Sequence, residues 1–81
     1  MSMLVSEMKK GTKCFIQGSV DLQDEKATYI ESFGVIAETP NKHAKNVLVR
    51  LAHSGVLIRM PIVNVYWVDQ NINVEWESQN T

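Results

Sequence analysis

The sequence predicts an all-β domain, a small five-stranded barrel with a short N-terminal arm and a C-terminal tail. Three observations lead there. Apolar residues recur at every second position in four runs, residues 14–16, 33–37, 47–51 and 56–60, which is the period of a half-buried strand. Turn-forming residues separate these runs at positions 18–26, 39–43 and 54–55. The chain has 81 residues, which allows one domain with one thin core. The expected organisation is an arm over residues 1–10, a barrel over 11–68, and a tail or extra short strand over 69–81.

Each element follows from its residues. In the arm, Leu4 and Met8 are placed to share one face of a short helical turn, or to pack as an extended lead-in. Residues 12–17 alternate, with Cys14 and Ile16 on one face and Lys13 and Phe15 on the other. Residues 18–26 carry Asp21, Asp24 and Glu25 and read as a loop, and residues 27–31 add a short strand leading into the next. Phe33, Val35 and Ala37 alternate with Gly34, Ile36 and Glu38, and the turn at 39–43 contains Pro40 and Asn41. Val47, Val49 and Leu51 share a face, as do Val56, Ile58 and Met60 beyond the Ser54-Gly55 dipeptide. Pro61 ends that ladder, residues 62–65 suit a 3₁₀ turn, and residues 66–68 suit a closing strand. The predicted core is Cys14, Ile16, Phe33, Val35, Ala37, Val47, Val49, Leu51, Val56, Ile58 and Met60.

Register extends this reading. A two-residue loop at Ser54-Gly55 pairs Leu51 with Ile58 and Val49 with Met60, which keeps every apolar residue on one face. Pairing Val35 with Val49 and Phe33 with Leu51 does the same for the preceding hairpin. The opposite face then holds Ile36, Leu48, Arg50, Leu57 and Arg59, with the two arginines side by side. Opposed like charges are unfavourable by up to about 1 kcal/mol, and the aliphatic residues around them would face water. This basic and apolar face is the expected partner-binding surface, for another protein or a second copy of the chain. The competing reading is local: Glu31, Glu38 or a tail acid neutralises the arginines, and the arm or tail covers Ile36 and Leu57.

Net charge is −1, so no global field draws the chain to nucleic acid or membrane. Every formal charge between positions 40 and 68 is nevertheless positive, and Lys42, His43 and Lys45 form an expected contact for an anion or, weakly, nucleic acid. No aromatic residue interleaves with them as a base-stacking platform requires. The acids lie mainly between Asp21 and Glu38 and in the tail at Asp69, Glu75 and Glu77, an asymmetry suited to self-association.

Cys14 is the single cysteine and neither His43 nor His53 has a partner at ligand spacing, so no metal or cofactor is expected. No nucleophile, acid–base pair or phosphate-binding glycine loop is marked, and no catalytic residue is assigned. The N-terminus lacks the pattern of a signal peptide and no apolar run is long enough to span a bilayer, so no membrane partner and a cytoplasmic location are expected. Chains of this size are common among phage and mobile-element accessory proteins.

Residues 10–16 entering the first strand, 33–36 in the second, 47–49 in the third, and the tight hairpin into 56–60 followed by 61–65 together resemble the SH3-like small barrel. The resemblance covers about three quarters of the chain and implies the five-stranded barrel, while the superfold itself hosts many functions. His53-Ser54-Gly55-Val56, with the stretch from Pro61 to Val65, also resembles the plasmid-encoded type II dihydrofolate reductases. Those are tetramers of such barrels with one active site in a shared central pore. That resemblance implies a homo-oligomeric enzyme with a site between subunits as the alternative to a non-enzymatic binding module. Where that family's pore strand reads Val-Gln-Ile-Tyr, this chain has Leu57, Ile58, Arg59 and Met60.

Overall fold

Five strands account for half of the described chain: β1 (Lys13–Asp21), β2 (Ala27–Ile36), β3 (Asn46–Leu51), β4 (Leu57–Pro61) and β5 (Val65–Trp67). They form one antiparallel sheet in the order β4-β3-β2-β1-β5 in a computed structural model that describes residues 2–21 and 27–72. Single 3₁₀ turns at Val5–Glu7 and Ile62–Asn64 complete the framework. Consecutive strands pair as neighbours from β1 to β4. β5 then returns to the other edge of β1, where Phe15 faces Tyr66 and Ile16 faces Val65. The acidic stretch expected as a loop is partly strand, because β1 runs on to Asp21; Asp24 and Glu25 lie outside the described residues, as does the segment at 74–76.

The core forms on the face of Cys14, Ile16 and Val20 in β1, Ile36 in β2, Val47 and Val49 in β3, Ile58 and Met60 in β4, and Val65 in β5. The faces of β1, β3 and β4 are therefore those the alternation predicts. The β3–β4 loop is four residues long rather than two. The Gly55 N–H donates to the Leu51 carbonyl at 2.9 Å, the Leu51 N–H to the Val56 carbonyl at 2.9 Å, and Gly55 sits at φ 72°. A left-handed residue at the end of the loop favours glycine, and it turns the chain two residues earlier along the ladder. Val49 then faces Ile58 and Val47 faces Met60. A slip of two residues preserves every face.

The β2 register differs by one residue, and one residue inverts a strand. Ile36 pairs with Val49, Val35 with Arg50 and Gly34 with Leu51. Ile36 is consequently a fully buried core residue and not part of the outer face, while Phe33, Val35 and Ala37 leave the expected core. Packing explains the inversion. Isoleucine fills the core at a position where alanine would leave space, and Gly34 faces Cys14 across β1. A Cβ on Gly34 would come within 2.7 Å of a Val49 methyl and 2.9 Å of the Arg50 carbonyl oxygen. The strands approach there because glycine has no side chain. On the other side, Phe33 meets Phe15 edge to face with ring centres 5.2 Å apart. Val56, also expected in the core, is 50% exposed, and Leu51 is half-buried against the observed core.

The arm contributes to the core more than its sequence suggests. Met3 and Met8 are buried, and the Met3 N–H donates to the Val65 carbonyl at 2.9 Å, extending the sheet past β5. Leu4, expected with Met8 either to share one face of a helical turn or to pack as an extended lead-in, is 63% exposed. The turn between them is closed by Glu7, whose carboxylate accepts the Leu4 N–H at 2.8 Å.

Candidate docking face

The outer sheet face is built from residues that alternate with the core. Across an antiparallel ladder, directly opposed residues project to the same side. Tyr66, Phe15 and Phe33 therefore form one continuous row over β5, β1 and β2. Lys13, Val35, Arg50 and Leu57 form the next row over β1 to β4. Leu48 and Arg59 form a third. Phe33 is 40% exposed and Leu57 is 47% exposed, while Phe15, Val35, Leu48 and Tyr66 are half-buried. These apolar residues are contiguous on the outer face, with Phe33 and Leu57 the most exposed of them.

Of the five residues expected on this face, Leu48, Arg50, Leu57 and Arg59 lie together and Ile36 lies beneath them in the core. The arginines are not opposed. Arg59 faces Leu48 and Arg50 faces Leu57, so neither arginine stands directly opposite the other. Arg50 donates from Nη1 to the Gly55 carbonyl at 3.2 Å. Arg59 lies 3.8 Å from the Glu38 carboxylate, the one ion pair among the described residues, with both side chains over 60% exposed. At that distance and exposure the pair is held weakly and stays open to exchange. Glu31 accepts from the Gln17 amide at 3.1 Å on the opposite part of the same face.

Phe15, Phe33, Val35 and Tyr66 are the face residues that alternation does not identify as a group. An aromatic pair on neighbouring strands is a favourable cross-strand contact, so matching Phe15 to Phe33 is the signal that finds them. Lys42, His43 and Lys45 are all exposed in the β2–β3 connection, where the Asn41 side chain accepts the His43 N–H at 3.0 Å. They do not join the arginine face. Of the residues aligned with the reductase pore strand, Ile58 and Met60 point into the core, and Leu57 and Arg59 point outward.

Cys14 is buried, and desolvation pushes its thiol up to about 12. A thiol so raised stays protonated and is a poor nucleophile at neutral pH. No group of three His, Cys, Asp or Glu side chains that could hold a metal ion occurs among the described residues. No helix among them is long and apolar enough to cross a membrane. The chain matches no protein-family profile, no curated protein and no solved structure with which it was compared.

Proposed function

We propose that this chain is a non-enzymatic binding module, an SH3-like small barrel that docks a protein partner or a second copy of itself through its outer sheet face. The sheet order β4-β3-β2-β1-β5, with a 3₁₀ turn leading into β5, supports the SH3-like arrangement. The observation that carries the function is the in-register row Tyr66, Phe15 and Phe33 beside Val35, Leu48 and Leu57, bordered by Arg50 and Arg59. Aromatic and arginine residues are the types that concentrate binding energy when a surface is desolvated. Arginine adds a planar fork that pairs with a carboxylate through two hydrogen bonds. The weak contact of Arg59 with Glu38 leaves that fork available.

The test compares the native chain with a Leu48→Ser, Leu57→Ser double variant in two assays: sedimentation equilibrium, and affinity capture from cells of the native host. The expected result is that the variant keeps the native circular dichroism but loses the association or the captured protein. An identical association state and identical captured proteins in both would remove the face from any docking role.

A further inference from the structure

The sheet has one covered edge and one open edge. Along β5 the N-terminal arm adds a short rung, with Ser2 bridged to Tyr66 and the Met3 N–H donating to the Val65 carbonyl at 2.9 Å. At the other end of the strand order, β4 pairs with β3 alone among the described residues. A strand with no neighbour on one side presents a row of backbone donors and acceptors, a template for another extended chain.

The bonds to β3 fix which groups form that row. The Leu51 N–H donates to the Val56 carbonyl and the Ile62 N–H to the Lys45 carbonyl, each at 2.9 Å. Between them Val49 faces Ile58 and Val47 faces Met60. Residues of an antiparallel strand turn their backbone groups alternately toward and away from a given neighbour. Val56, Ile58, Met60 and Ile62 therefore bond inward to β3, while Leu57, Arg59 and Pro61 turn outward. Proline has no N–H, so the complete donor and acceptor pairs on the edge belong to Leu57 and Arg59. Neither makes a backbone hydrogen bond outside the sheet ladder among the described residues. Both side chains are accessible as well, Leu57 at 47% exposure and Arg59 at 63%.

We propose that two copies of this chain join β4 to β4, antiparallel and centred on Ile58, so that their sheets become one. In that register Leu57 of each copy lies opposite Arg59 of the other, and every outward N–H and C=O of both residues is used. Opposing Arg59 to Arg59 instead would bring like charges together. It would also set Leu57 against Pro61, whose missing N–H leaves the Leu57 carbonyl unpaired. A shift the other way would set Arg59 against Gly55, whose N–H is already given to the Leu51 carbonyl. The edge is thus complementary to itself in one alignment, as a two-fold pair requires. The aliphatic stem of each arginine can cover the exposed leucine of the other copy, and a net charge of −1 per chain sets up little repulsion between copies. This pairing uses the backbone edge and does not rest on the outer face, which stays open and runs on across both copies.

The test begins with single-cysteine additions. Leu57→Cys and Arg59→Cys proteins carrying tags of different mass are mixed and mildly oxidised, and the buried Cys14 is common to both. The expected product is the mixed disulfide, formed severalfold over either same-variant disulfide, because directly opposed strand residues lie within disulfide range. Sedimentation equilibrium then compares Arg59→Pro with Arg59→Val. Both lose the arginine, but only proline loses the outward N–H, and the bonds to β3 lie on the neighbouring residues. With native circular dichroism in both, Arg59→Pro should associate at least about tenfold more weakly than Arg59→Val. If the proline variant unfolds, the disulfide ratio decides. A native chain that stays monomeric at high concentration, equal association of folded proline and valine variants, or a dominant same-variant disulfide would each overturn the pairing. So would association that needs Leu48 and Leu57 yet yields no mixed disulfide, since that belongs to the outer face.

Discussion

Cys14 faces Gly34 across the first hairpin, and burial raises its thiol from the ordinary value of 9.0 to about 12. In the unfolded chain the same thiol titrates at that ordinary value. Above that pH the unfolded state loses its proton while the folded state keeps it, so the unfolded state binds fewer protons. Stability contributed by the buried thiol is therefore complete below the unfolded value. It declines as pH rises towards about 12, by at most about 1.4 kcal/mol per pH unit. Urea unfolding at several pH values between neutral and strongly alkaline should show a steeper alkaline loss in the native protein than in Cys14→Ala. The comparison isolates the thiol, because lysines and tyrosines titrate equally in both proteins. Parallel pH dependences would mean that Cys14 meets water in the folded state.

The first strand depends on a side chain at the far end of the chain. The Gln70 carbonyl oxygen accepts the Lys13 N–H at 2.7 Å, and its amide donates to the Lys13 carbonyl at 2.8 Å. One primary amide thus reproduces the two bonds a neighbouring strand would make, just beyond the point where Cys14 faces Trp67 and β5 stops pairing. Gln70→Ala should cost about 0.5–1.5 kcal/mol per net hydrogen bond lost. It should also speed hydrogen exchange at the Lys13 amide while leaving the β3–β4 hairpin protected, and unchanged exchange at Lys13 would rule out the clamp. Nothing in a polar run such as Asp69-Gln70-Asn71 marks that role, because the clamp exists only once two distant segments meet. The β2 register has the same origin. Val47 and Val49 alternate with the charged Arg50 and polar Asn46, so β3 can be read alone, and β4 likewise from Ile58, Arg59 and Met60. Residues 33–37 are apolar on both faces, and alternation cannot say which side is buried. The choice is made by the Phe15 and Phe33 contact and by the close approach of Val49 and the Arg50 carbonyl to Gly34, which leaves no room for a Cβ. This is why Leu48, Arg50, Leu57 and Arg59 are legible as one surface, whereas Ile36 changes places with Phe33 and Val35.

At the scale of the whole molecule, an 81-residue chain has little stability to spare, since small domains stand only about 5–15 kcal/mol above the unfolded state. The core has to hold nearly all of it, and an exposed face can then be chosen for binding. Ile36 and Leu57 make this separation measurable, because both are large aliphatic residues and they lie on opposite sides of the same sheet. Ile36 has no exposed surface, and its neighbours include Val49 across the ladder. Ile36→Ala should therefore cost about 2–5 kcal/mol through lost burial and the cavity it leaves, a large fraction of the total. Leu57 is 47% exposed and packs beside Arg50 on the outer face. Leu57→Ser should change folding stability by no more than about 0.5 kcal/mol, because half its surface already meets water. Thermal unfolding of the two variants under one set of conditions gives the comparison, and sedimentation of Leu57→Ser gives the second readout. A folded variant that no longer associates assigns Leu57 to an interface. If Leu57→Ser unfolds as readily as Ile36→Ala, the leucine belongs to the interior and the face does not dock a partner. A native chain that stays monomeric at high concentration would exclude a second copy and leave a different protein as the occupant of the face.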